Sequence, residues 1–213
     1  MEKMSKKIAE YLLQSNAIKL KPATPFTWAS GWKSPIYCDN RQTLSFPEIR
    51  TYIRDGFAKV INETYRDAEV IAGVATGAIA QGVLVAEVLD LPFIYVRSAP
   101  KGHGMENLIE GKLDAGKKVV VIEDLVSTGG SSLKAVEAIR KAGCEVLGMC
   151  AIFSYLFPVA LESFKNANCE LITLSNYEVL IDMAVETNYV KAEDVEILKK
   201  WRQDPGNWNP SST

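Results

Sequence analysis

The chain has 213 residues, 47% of them apolar, and a formal net charge of −2. That is enough chain and apolar side chain for a packed core, which excludes a disordered polymer. Lys and Arg form no clustered stripe and no apolar run reaches the length of a bilayer span, so neither a nucleic-acid surface nor a membrane protein is expected.

The four cysteines, Cys38, Cys144, Cys150 and Cys169, lack metal-ligand spacing. Cys144 and Cys150 lie in apolar sequence and read as buried thiols. Residues 1–20 carry lysines but no signal-peptide core, so a reducing cytoplasm is the expected setting.

In chain order, Ile8, Tyr11 and Leu12 mark a short helix. Residues 21–44, with Pro22, Pro25, Gly31 and Pro35, read as irregular. Ser45-Phe46-Pro47-Glu48 has the form of a capping box with proline near the helix start. Ile49, Tyr52, Ile53, Phe57, Val60 and Ile61 then form a long amphipathic face. Strands are predicted at about 69–72, 93–96, 119–122, 145–153 and 171–174, with helices between them at about 79–89, 133–142 and 158–166. Residues 190–203 read as helical and the tail from Pro205 as irregular. Strands alternating with helices predict an α/β fold with a central, mainly parallel sheet flanked by helices, in one domain spanning 1–213.

Residues 119–132 carry the most chemistry. Val119, Val120, Val121 and Ile122 suit a strand buried on both faces. Glu123 and Asp124 follow where that strand is expected to end. A small, hydroxyl-rich loop comes next, and Leu133, Val136 and Ile139 recur at helical spacing. Gly129 and Gly130 let backbone N–H groups approach an anion, and the helix start adds unpaired donors and a favourable dipole. The carboxylates are suited to hold hydroxyls beside that anion, or a divalent cation through water. A second strand-to-helix loop, Gly73-Val74-Ala75-Thr76-Gly77, is expected to face the same crevice, because open α/β sheets bind ligands at the carboxyl ends of their strands.

A third segment holds Arg97, Ser98, Lys101 and His103, the last being the sole histidine. It runs to Gly111 with little periodicity, as lid loops do, and fast amide exchange slowed by ligand is expected there. Gly111 to Lys118 resembles a Walker A loop. Lys118, however, occupies the place of the magnesium-binding Ser or Thr, and the stretch precedes a strand instead of following one, so a turn is expected. Gly102-His103-Gly104 does not extend to a dinucleotide fingerprint, since Asn107 stands at the third glycine position.

The 119–132 stretch resembles the 5-phosphoribosyl-1-pyrophosphate (PRPP) motif of the type I phosphoribosyltransferases. Two further stretches are similar to the orotate phosphoribosyltransferase family in particular. One runs from Phe26 through Trp28, Gly31, Ser34, Pro35, Tyr37, Asp39 and Asn40 to Arg41; the other runs from Arg97 through Lys101-Gly102-His103-Gly104 to Gly111. The resemblance covers about residues 5–203. It implies the type I fold with a small N-terminal hood, built mainly from about 1–44, over the base. It implies a pentosyltransferase that takes orotate and PRPP to orotidine 5′-monophosphate and pyrophosphate with Mg²⁺, in pyrimidine synthesis.

The resemblance also assigns roles. Glu123 and Asp124 bind the ribose hydroxyls. Leu125, Val126, Ser127, Thr128, Gly129, Gly130 and Ser131 hold the 5′-phosphate, with Ser127 also near orotate. Arg97, Lys101 and His103 bind pyrophosphate across the interface of a homodimer with shared active sites. The metal is held through PRPP and water, without a certain direct protein ligand.

Four positions depart from the better-known bacterial pattern: Ala29 and Thr76 where relatives carry lysine, Ser98 where lysine follows the arginine, and Tyr155 where some carry an orotate-contacting arginine. They imply another subgroup, with the orotate carboxylate left to hood backbone groups or Arg41. The rival readings are a phosphoribosyltransferase for another base and a PRPP-sensing regulator. The N-terminal segment is too short for the winged helix that the second would need.

Overall fold

Val119, Val120, Val121 and Ile122 have no exposed surface, as a strand covered on both faces requires. The computed structural model describes residues 1–28, 31–99 and 108–209, and the four side chains alternate between its two apolar clusters. Val119 and Val121 pack with Ala135, Val136 and Ile139; Val120 and Ile122 pack with Ile53, Phe57 and Val85. Each such side chain contributes about 2 kcal/mol of burial, which fixes the register of this strand in the sheet.

The elements follow in order as α1 (Glu2–Gln14), β1 (Ile18–Leu20), β2 (Phe26–Thr27), β3 (Lys33–Ser34), β4 (Ile36–Cys38), α2 (Pro47–Thr64), β5 (Val70–Val74), α3 (Ile79–Leu89), β6 (Phe93–Val96), β7 (Ile109–Glu110), β8 (Lys118–Val126), α4 (Gly130–Lys141), β9 (Glu145–Ser154), α5 (Pro158–Asn166), β10 (Leu171–Asn176), α6 (Tyr177–Glu186) and α7 (Val195–Gln203). The main sheet has the order β10-β9-β8-β5-β6-β7. Its pairs are parallel except β6 with β7. Residues of α4 and α5 join the cluster on one face, and those of α1, α2, α3 and α6 the cluster on the other. From β5 the chain passes to β6 on one side and later to β8 on the other, so the β5–β8 boundary is a topological switch point, the usual place for a ligand crevice.

The predicted helices and the five core strands are present, with four corrections. First, residues 21–44 are not simply irregular. β2 pairs with β3 there, β4 pairs back onto β1 just before the segment, both antiparallel, and a 3-10 helix follows over Asn40–Ser45. Second, Ser45 closes that 3-10 helix and does not cap α2, which starts from Phe46 with Pro47 in its first turn. Glu48 is instead engaged by Tyr11, whose hydroxyl donates to it at 2.8 Å. Third, β8 does not stop at Ile122: pairing to β9 continues with Glu123 opposite Ala151 and Val126 opposite Ser154. Fourth, α6 and β7 are additional elements. The Walker-like stretch is a turn, with Gly116 at φ +84° and its N–H donating to Gly143 at 2.8 Å.

Candidate active site

The carboxyl ends of β5 and β8 open into a cleft of about 350 Å³. On one side are Val74, Ala75, Thr76 and Gly77, on the other Glu123, Asp124, Leu125 and Ser131, with Cys38, Asp39 and Arg41 closing it from the hood. The two loops expected to share a crevice therefore do. The first is held by the Ala75 N–H, which donates to Val96 at 2.8 Å, and by Ala78, which donates to Val74 at 3.0 Å. Gly77 lies directly against the acid: a Cβ placed there would run into the Asp124 carboxylate.

The acid pair is asymmetric. Glu123 is buried; it accepts from the Ser132 hydroxyl at 2.7 Å and from the Asp124 N–H at 3.0 Å. Burial and then the neighbouring Asp124 charge push its carboxyl above the usual carboxylate range. Asp124 is less covered, yet burial raises it too. A carboxylate pair held this way favours a ligand that supplies hydroxyl donors or positive charge.

Beyond β8, Ser127, Thr128 and Gly129 turn the chain into α4. Gly129 sits at φ +84° and starts the helix with no side-chain cap, which leaves the first-turn N–H groups for an outside acceptor. Only Gly129 needs glycine for its conformation. A Cβ on Gly130 would meet open space, room into which an anion fits.

A second pocket of about 260 Å³ adjoins the cleft through Cys38 and Leu125. Thr27, Trp28, Tyr37, Ser127 and Tyr155 complete it. Trp28 and Tyr155 lie 5.5 Å apart at 40°, and the Trp28 indole N–H donates to Ile36 at 3.0 Å. Ser127, read as a base contact, is thus in the aromatic pocket, and no Lys or Arg lines it among the described residues. Arg41 is on the cleft side, paired with Asp39 through bonds of 2.6 and 3.1 Å. That pairing holds Asp39 below the usual carboxylate range.

Arg97 does not line this cleft. Its backbone N–H donates to Leu108 at 2.8 Å, and its guanidinium lies 3.5 Å from Glu110. Lys101 and His103 fall outside the described residues.

Residues 45–187 match the family model of the phosphoribosyl transferase domain. Over 208 residues the chain is 61% identical to the orotate phosphoribosyltransferase of Phocaeicola vulgatus, covering 98% of each. The chain belongs to the orotate phosphoribosyltransferase family. Its backbone is similar to that of orotate phosphoribosyltransferase from Aeropyrum pernix, with a TM-score of 0.76 at 25% identity over 86% of this chain and 99% of that one. It is also similar to Leishmania donovani UMP synthase, with a TM-score of 0.79 at 25% identity, covering 96% of this chain but 42% of that longer one.

Two features of this site have no individual role assigned from the sequence. Asn40, buried between the hood and β8, donates through its side-chain amide to the Asp124 carbonyl. Trp28 and Tyr155 wall the second pocket together. The sequence offers only an amide within an aromatic-rich stretch, which does not specify which groups meet.

Proposed function

We propose that the chain transfers the 5-phosphoribosyl group of PRPP to orotate, with PRPP in the β5–β8 cleft and orotate in the aromatic pocket. The observation that carries this reading is the pair of contiguous pockets sharing Cys38 and Leu125, one polar and acid-lined, the other aromatic. The whole chain is read as one phosphoribosyltransferase unit, with the hood drawn mainly from about 1–44. In support, a single apolar cluster runs from Ile8 to Trp201.

In this reading the backbone from Leu125 to Ser131, ending at the uncapped start of α4, takes the 5′-phosphate. Asp124, with Glu123 behind it, accepts from the ribose 2′- and 3′-hydroxyls. The loop from Val74 to Gly77 faces the pyrophosphate. The planar base lies between Trp28, Tyr37 and Tyr155, beside Ser127, so that its N1 meets the anomeric carbon where the pockets join. The N1–C1′ bond forms as the C1′–O bond breaks, pyrophosphate leaves with that electron pair, and the N1 proton passes to water or to the departing pyrophosphate. The charge of orotate is on its carboxylate, while its N1–H becomes acidic as the N1–C1′ bond forms, so water or the departing pyrophosphate suffices as base; positioning and electrostatic complementarity to an oxocarbenium-like state do the catalysis.

Mg²⁺ fits this donor set. Among the described residues no three His, Cys, Asp or Glu side chains converge as a cage. Within the cleft Asp39 is tied to Arg41, and Glu123 to Ser132. A cation carried by phosphate oxygens and water, with Asp124 reached through water, suits such a site. Bound there, it would neutralise charge on the pyrophosphate.

The working unit is read as a homodimer in which Arg97, Lys101 and His103 of one copy serve the pyrophosphate in the other copy's cleft. In support, Arg97 stands off the cleft of its own chain. Four free thiols suit a reducing, cytoplasmic setting. No helix among the described residues is long and apolar enough to cross a membrane, and nucleic acid is not an expected partner. A competition assay tests the choice of base. Orotate is expected to be consumed in preference to uracil and to purines; preferential turnover of a purine would replace orotate in this reading.

A further inference from the structure

The matched phosphoribosyl transferase domain ends at residue 187, and α7 lies beyond it, as the hood strands lie before it. These two outer segments meet behind the aromatic pocket. Trp201, on α7, has no exposed surface, and its indole N–H donates to the Lys33 carbonyl in β3 at 3.2 Å. Its ring stands edge-on to Trp28 at 5.6 Å and 79°, and edge-on to Tyr155 at 5.7 Å and 78°. Arg202 latches the same helix down, donating to the carbonyls of Tyr155 at 3.1 Å and Leu156 at 3.2 Å. Farther on, a Cβ on Gly206 would lie 3.2 Å from the Trp32 ring, and Trp32 stacks on Trp28 at 6.4 Å.

The hood hairpin has little to hold it in place by itself. β2 and β3 pair at only two positions, Phe26 with Ser34 and Thr27 with Lys33, and a hairpin that short is unstable alone. Besides its own bonds to the Ile36 and Trp32 carbonyls, the place of Trp28 is set by what packs outside it. The PRPP cleft is carried by β5 and β8 in the middle of the main sheet, with Cys38, Asp39 and Arg41 reaching it from the hood, and neither Trp28, Trp32 nor Trp201 is among its lining residues.

We propose that Trp201 is a positioning residue for the base: through Lys33 and Trp28 it sets the wall of the aromatic pocket, so the last helix belongs to the base-recognition element. The proposal rests on orotate occupying that pocket. It predicts a split between the two substrates that a general structural role does not give. Trp201→Phe keeps a ring but removes the donor to Lys33, and one lost hydrogen bond corresponds to about fivefold in an equilibrium constant. The KM for orotate is expected to rise by about that factor while the KM for PRPP stays within about twofold.

Gly206→Ala, which pushes on Trp32 from outside a folded enzyme, is expected to raise the orotate KM in the same selective way. It keeps the question open to test if Trp201→Phe folds poorly. Equal shifts in both KM values, or no shift in the orotate KM for either folded variant, would overturn the proposal. Failure of the parent enzyme to consume orotate at all is a separate result. It removes the functional reading first, and this inference with it.

Discussion

The side-chain amide of Asn40 donates to the backbone carbonyl of Asp124, 84 residues later in the chain. The other end of the amide is also occupied, since Asn40 Oδ1 accepts from the Cys38 thiol at 3.3 Å. The Asn40 carbonyl accepts from the Thr43 hydroxyl at 2.6 Å. One buried residue thus ties the hood to the strand that carries the acid pair. Asn40→Ala leaves a buried carbonyl and a thiol without partners, at about 1–3 kcal/mol. A fall in Tm of several degrees is expected, together with a fall of about tenfold in kcat/KM for PRPP. A variant matching the parent in both would show that this tie does not hold Asp124.

Gly77 is packed against the Asp124 carboxylate with no room for a Cβ. Gly77→Ala is expected to displace Asp124 and lower kcat/KM for PRPP by about tenfold or more, with circular dichroism unchanged because the sheet behind the loop is untouched. Normal kinetics in a folded variant would mean that the loop yields and Asp124 does not.

Asp124→Asn keeps the shape and removes the charged acceptor. A charge-assisted hydrogen bond is worth roughly 1.5–3 kcal/mol, so steady-state kinetics should show at least about a tenfold loss in kcat/KM for PRPP. Near-parental activity would remove Asp124 from the ribose site.

Glu123 gives a pH signature. Its folded-state pKa lies above the ordinary glutamate value of 4.5 because of burial and then the Asp124 charge. Between the two values the folded chain keeps a proton that the unfolded chain has released, so stability falls as pH rises through that window. Asp124 is shifted in the same direction by burial. Glu123→Gln removes the first titration, so thermal melts should show the variant gaining on the parent as pH rises from about 4 to about 8. A Tm difference independent of pH would mean that Glu123 is not protonated in the folded chain.

The core was legible where burial imposes a repeating pattern. The run from Val119 to Ile122 announces a doubly covered strand, and the helical spacing of Leu133, Val136 and Ile139 announces α4. The hood was not legible in the same way: β2 and β3 are two residues long and β4 three, too short for an alternation to register. Helix α6 follows β10 without a loop, from Asn176 as its cap, so no turn residue separates the two apolar runs. The acid pair and the glycine-containing turn after it could be read from residue type and order alone. The Asn40–Asp124 and Trp201–Lys33 contacts could not, because each joins groups far apart in the chain through geometry that only the finished fold creates.

The central claim is most directly tested by mixing the purified protein with orotate, PRPP and Mg²⁺ and following orotate absorbance in the ultraviolet alongside pyrophosphate release. The account predicts loss of orotate, one molecule for each pyrophosphate released and dependent on PRPP. Unchanged orotate absorbance, or pyrophosphate release without orotate consumption, would contradict it.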